Sequence, residues 1–330
     1  MGILKQLQQN QLGFQLTPVS VRDFAHIQFS PCEIYSFQNG IFIPVIKAGT
    51  RLNKEVIKDI ILKGHWKFFT TFDDKAKLRD IHQESLRKVT RSLSVGNTVA
   101  NSKKQIKLLT LNLEHLYDDP TNDDALELQQ QSIKNLGAFL LENPKLNKEL
   151  YQYIGQQNFH YTHEQPLLSS LVLLAFLKNT FHFSHKEMLN LFVTSYFKDI
   201  GMGFLPTELF NKKDLSEQEI KSISNHPASS HKILENRLSI PPAYLEIISN
   251  HHSHAPSDQD LEDDPGPEII TGIETTLVST MDTITAMTTG RPYRDANSIY
   301  ESLEIVKELI AKQHPQEFKF LVHFFSKFFK

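Results

Sequence analysis

Residues Leu167 to Leu177 read LLSSLVLLAFL, eleven residues without a charge and apolar on every side of a helix. A bilayer span needs about 20 such residues, so this run is too short to cross a membrane. A helix that is hydrophobic all round must instead be buried. The chain therefore has to supply other helices to enclose it, and it does so on both sides. Apolar residues recur at helical spacing around Ile81–Leu93, Ile106–Leu116, Ala125–Leu141 and Leu146–Ile154, with a turn at DDPTNDD (118–124). From 157 onward the pattern stays helical, broken by APSDQDLEDDPGPE (255–268). That stretch has three prolines, six acidic residues and no Lys or Arg, which makes it a loop.

The N-terminal part reads differently. Asn39-Gly40 separates two strand-like runs in PCEIYSFQNGIFIPVIKAGTRL, a strong hairpin signal. Apolar positions Val56, Ile57, Ile60, Ile61 and Leu62 then predict a helix, with Asn53 as N-cap and Gly64 as C-cap. WKFFTTF predicts a further strand. The expected organisation is a small α+β module over 1–95, a helical connector over 96–156 and a helical domain over 157–330.

The net charge of -3 and the isoelectric point near 6.6 give no reason to expect a nucleic acid polymer or a membrane surface as partner. A single cysteine, Cys32, excludes an intramolecular disulfide and a cysteine-rich zinc site. The first residues lack the apolar core of a signal peptide. Met-Gly at the start fails as a myristoylation motif because Gln6 stands where Ser or Thr is needed. A cytoplasmic location is expected.

Chemistry-bearing residues gather in four segments: YFKDIGMGFLP (196–206), LSEQEIKSISNHP (215–227), SNHHSH (249–254) and STMDTITAMTTGRPYR (279–294). Asp199, His226, His251, His252 and Asp282 are the residue types that bind iron, manganese, zinc or nickel. Spread over separate helices, they could converge in one helical core. His251 and His252 could equally be solvent-facing residues after a helix.

In sequence and in order these segments resemble the HD-GYP family of cyclic-di-GMP phosphodiesterases. KDIGMGFLP resembles the family's HDIGK-x-x-I-P. LPTELFNKKDLSEQE and NHPASSHKIL resemble its I-P-x-x-I-L-x-K, L-T-x-E-E and H-P-x-x-G-x-x-I-L stretches. NHH resembles its histidine pair, and MDTITAMTTGRPYR its D-x-x-D-A-x-T-S-x-R-P-Y-R. The resemblance covers about 157–330 and implies a mainly α fold, a C-terminal HD-type helical bundle behind a small N-terminal α+β domain.

It also implies a site with two or three metals that generate a hydroxide and clamp phosphate. Asp199 matches the bridging carboxylate, and His226, His251 and His252 match the imidazoles of one metal. Asp282 matches the later carboxylate of the other metal. Arg291 and Arg294 fall where phosphate-binding residues lie.

The departures are large. Lys198 replaces the motif's own histidine, and an ammonium has no lone pair with which to ligate. Alignment through HFSHKE puts Pro166 at the first ligand histidine, with His163 one turn earlier as a substitute. Met202 replaces the substrate lysine, Thr285 the second Asp of D-x-x-D-A, and the acidic loop the GYP segment. One metal subsite keeps its residues. In the other, Lys198 is expected between Asp199 and Asp282, neutralising both.

The leading expectation is a catalytically impaired signalling or protein-interaction module with one divalent transition metal or none. Its expected partners are proteins, diguanylate cyclase domains among them, or a second copy in a homodimer. Slow cyclic-di-GMP hydrolysis and non-hydrolysing nucleotide sensing are the alternatives, and enzymatic status stays open. Arg291 and Arg294 could instead cap a helix C-terminus, pairing with Asp295. EFKFLVHFFSKFFK, with six phenylalanines and three lysines, is expected to pack on the bundle rather than touch a membrane or partner.

Overall fold

A computed structural model describes residues 12–25, 27–157, 159–180, 183–252, 272–291, 293–311 and 314–329. The acidic loop 255–268, His182 and His254 lie outside the described residues. The chain forms two compact units, Met1–Leu86 and Arg87–Lys330.

The first unit holds a four-stranded antiparallel sheet of β1 (Leu16–Val19), β2 (Ile34–Gln38), β3 (Ile41–Ile46) and β4 (Phe68–Thr71), in the order β1-β4-β2-β3. Asn39 and Gly40 both have positive φ, 50° and 80°, and Gln38 pairs with Ile41. That is the two-residue turn whose twist matches a hairpin, and it explains the Asn-Gly dipeptide. Two helices, α1 (Val21–Ala25) and α2 (Lys54–Leu62), belong to the same unit. Asn53 Oδ1 accepts the Val56 N–H at 2.8 Å, capping α2. Phe24, Cys32, Ile34, Ile46, Ile57, Ile60 and Phe68 are buried together as its core.

The division between units falls inside α3 (Phe72–Arg91). The second unit continues with α4 (Thr98–Asp118), α5 (Asp123–Glu142), α6 (Lys145–Gly155), α7 (Tyr161–Thr180) and α8 (His185–Phe197). Two 3-10 turns, Ile200–Phe204 and Thr207–Asn211, follow. Then come α9 (Glu217–Ser224), α10 (His226–Leu234), α11 (Pro242–Asn250), α12 (Ile273–Thr288), α13 (Ile299–Ile310) and α14 (Pro315–Phe328). Ser184 with Glu187, Ser216 with Glu219 and Ser298 with Glu301 form capping boxes that start α8, α9 and α13.

Helix α7 lies at the centre. Every described residue from 164 to 177 is buried, and α6, α8 and α12 pack around it. The uncharged run 167–177 thus has the enclosed position its composition requires. Pro166, in the second turn of α7, removes one backbone N–H. The Thr162 carbonyl that would have received it accepts the Tyr117 hydroxyl at 3.3 Å instead. Leu321, Phe325 and Phe328 of α14 are buried, and Phe324 and Phe328 meet Phe176 and Tyr151 edge-on. Among the described residues, no helix is long and apolar enough to cross a membrane.

Candidate metal centre

Helix α8 ends at Phe197, which leaves Lys198 and Asp199 at its C-terminal edge facing the start of α10. The approach is close because residue 201 is glycine. A Cβ there would lie 2.3 Å from the His226 carbonyl oxygen and 2.6 Å from the Ser230 nitrogen. The Gly201 N–H donates to Ser230 Oγ at 2.8 Å. This contact sets His226, the first residue of α10, against Asp199. His251 and His252 follow the last turn of α11, and the Ser279 hydroxyl of α12 donates to the His251 carbonyl.

These four residues converge. His226 Nε2 and His251 Nε2 each lie 3.2 Å from Asp199 Oδ1 and 3.4 Å from one another. The His252 ring is 4.1 Å from that of His251 and 5.0 Å from that of His226, centroid to centroid. All four ligand atoms fall within 4.8 Å of one another. The tautomers follow from the other ring nitrogens. His226 Nδ1 is 2.7 Å from the Ile223 carbonyl, and His251 Nδ1 is 2.7 Å from the Ile248 carbonyl. A carbonyl only accepts, so each Nδ1 carries the hydrogen and, in the neutral ring, each Nε2 presents a lone pair. Two lone pairs and a carboxylate oxygen then point at one spot, which requires a proton or a cation between them. Imidazoles oriented by backbone carbonyls are the usual support of a metal ligand. Desolvation first, and then His251, hold His252 below the ordinary imidazole range, keeping it in the neutral ligating form although the residue is partly exposed. Three imidazoles and one carboxylate suit iron, manganese, zinc or nickel.

Asp282 takes no part in that cluster. Its Oδ1 is 2.8 Å from Lys198 Nζ, and the same ammonium bonds Asp199 Oδ2. Lys198 has no exposed side-chain surface. Burial by itself would pull its pKa down, but Asp199 and Asp282 outweigh it and hold the ammonium above the usual lysine value. Burial would likewise raise both carboxyls. Lys198 reverses this, so Asp199 lies well below the usual range and Asp282 below it. The triad is thus charged, with a cation between two anions.

The side chain that reaches Asp282 from α7 is Gln165, not Pro166. Gln165 Nε2 donates to Asp282 Oδ1 at 2.9 Å, to the Asp282 carbonyl at 3.0 Å and to Thr285 Oγ1 at 2.9 Å. The sequence offers no sign of this, because one residue of slip turns a helical side chain by about 100°. His163 packs against the rings of Tyr117 and His160 and is not among the four.

A cavity of about 350 Å³ opens over the site, lined by Asp199, His226, His252 and Asp282 together with Tyr161, Gln165, Met202 and Arg291. The two arginines part here. Arg291 lies over the Tyr161 ring, 4.8 Å from its centroid, and donates to the Tyr293 hydroxyl at 3.1 Å. Arg294 does not line the cavity. It donates to the Ala286 and Met287 carbonyls at 2.7 and 3.4 Å and to Asn297 Oδ1 at 3.1 Å. It thus caps α12, as the structural alternative in the sequence required, with Asn297 rather than Asp295 beside it.

A family model described as HD domain matches residues 150–314. No curated protein sequence matches the chain. Among solved structures, the chain is similar to that of Bd1817, a HDG"Y"P protein from Bdellovibrio bacteriovorus. The TM-score is 0.64 at 15% identity, over 94% of this chain and 99% of that one. At that identity the likeness concerns the fold.

Proposed function

The chain belongs to the HD domain family, and on that premise we propose that it is a signalling or protein-interaction module in cyclic-di-GMP-related regulation, with hydrolysis impaired. The observation that carries this reading is the buried Lys198 ammonium between Asp199 and Asp282. A two-metal site holds both the attacking and the leaving oxygen of a phosphodiester. An ammonium supplies one positive charge, no coordination position and no bound hydroxide. Gln165, an amide, occupies the neighbouring place with its N–H groups committed to Asp282 and Thr285.

One metal remains compatible with the residues present. Asp199, His226, His251 and His252 would hold it, and when bound it would polarise a water or a phosphate oxygen. The partners that follow are proteins, diguanylate cyclase domains or a second copy of this chain among them. The test is turnover of cyclic-di-GMP and of its linear product by the pure protein with manganese or iron. The reading expects no hydrolysis above background. Robust turnover that disappears in His226→Ala would overturn it.

Arg291 favours a second reading, a sensor that binds the nucleotide without cleaving it. Its guanidinium lines the same cavity as Asp199, His226 and His252, and a guanidinium there is suited to pair with a phosphate. Calorimetry decides: the sensor requires cyclic-di-GMP binding that is lost in Arg291→Ala, without turnover.

A further inference from the structure

A second cavity, of about 510 Å³, lies within the Arg87–Lys330 unit, between α6, α7, the end of α12 and the end of α14. It shares no lining residue with the metal cavity. Glu164 is on its wall and only 7% exposed. Among the described residues none gives this carboxylate a hydrogen bond or an ion pair. A buried carboxyl without a donor is costly. The cation that acts on it, Arg291, is engaged over Tyr161 in the other cavity.

The rest of the wall has the same polarity. Thr288 and Thr289 close α12, and their hydroxyls donate back to the Ile284 and Thr285 carbonyls, each at 2.8 Å. Their oxygen lone pairs are what they can offer to a ligand. The C-terminus of a helix carries partial negative charge. Tyr151 and Phe329, with ring centroids 5.6 Å apart, add aromatic surface. An unpaired carboxylate, hydroxyl acceptors, a helix C-terminus and aromatic rings together describe a receptor for a positively charged donor.

We propose that this cavity is a binding site for a small organic cation, an alkylammonium or guanidinium, with Glu164 as its counter-ion. The site is separate from the metal centre, but α7 and α12 also carry Gln165 and Asp282. Desolvation pushes the Glu164 carboxyl up to about 7, against a smaller opposing effect of Arg291. That is the behaviour of a group lacking the partner such a ligand supplies.

Saturation-transfer NMR on the full chain tests this with n-butylammonium and methylguanidinium as probes and n-butanol as the neutral isostere. Saturable binding of the cations, absent for butanol, is expected. It should weaken about tenfold or more in Glu164→Gln, as loss of a charge-assisted contact implies. Thr289→Val, which removes one hydroxyl acceptor together with its bond to the Thr285 carbonyl, should weaken it less and serves if the first variant does not fold. Absence of saturable cation binding to the wild-type chain would overturn the proposal. So would binding that Glu164→Gln, or Thr289→Val in its place, leaves unchanged. Neither result bears on the metal cluster or on hydrolysis.

Discussion

Lys198 Nζ lies 2.8 Å from Asp282 Oδ1, and that contact decides how the rest of the site is charged. The same ammonium bonds Asp199. Asp199 in turn faces the two Nε2 atoms with its other oxygen. One carboxylate therefore joins an ammonium site to an imidazole site.

Removing the ammonium leaves two buried carboxylates facing each other. Lys198→Ala is expected to destabilise the protein by roughly 3–5 kcal/mol at neutral pH, the usual cost of breaking a buried pair from one side. Urea unfolding measures it, and a loss under ~1 kcal/mol, the scale of a surface pair, would show that the triad is not charged as described.

Gly201 allows α10 to approach the end of α8. A methyl group there meets the His226 carbonyl and the Ser230 nitrogen, both backbone atoms. Gly201→Ala is expected to cost about 1–3 kcal/mol by overpacking. It should also lower metal affinity, because relief requires His226 to move. Thermal unfolding and metal titration check the two effects together.

The arginines should separate cleanly. Arg294→Ala uncaps α12 and is expected to cost about 1–2 kcal/mol, since three hydrogen bonds from a charged group are lost at a partly solvated helix end. Arg291→Ala should cost less, about 0.5–1 kcal/mol for the lost contact with the Tyr161 ring, while removing the guanidinium from the cavity. Equal destabilisation by both would contradict the assignment.

Glu164 makes stability depend on pH. Its folded pKa, about 7, is above the ordinary carboxyl value of 4.5, so between these limits the folded state binds more protons than the unfolded one. Stability from this group is present below about 4.5, falls as pH rises and is gone above about 7. The shift corresponds to about 3 kcal/mol. Glu164→Gln should flatten this part of the profile. An unchanged slope in denaturant melts across this window would show that Glu164 is not buried as the acid.

Legibility in the sequence followed locality. Asn39-Gly40 and Asn53 act through their own backbone within three residues, so the hairpin and the cap could be read from short strings. The enclosed helix was legible because Leu167–Leu177 leaves no polar face. The Lys198 pair was legible from charge together with the family resemblance, since an ammonium beside Asp199 needs a counter-charge and Asp282 matches the carboxylate of the last motif. Gln165 was not legible. The alignment that reached α7 crossed a turn, and helical spacing does not reveal a one-residue slip. Nor was the Glu164 cavity, which depends on where four helix segments meet. Arg294 was read both as phosphate ligand and as cap, and only the carbonyls of Ala286 and Met287 distinguish the two.

Elemental analysis of the full chain, purified without chelators at known concentration, tests the central claim most directly. The account predicts close to one transition-metal ion per chain, lost in His226→Ala and unchanged by added manganese or iron, because Lys198 occupies the place of a second. Two ions per chain would contradict the role given to Lys198. No metal, before or after reconstitution, would contradict the reading of Asp199, His226, His251 and His252 as a metal centre.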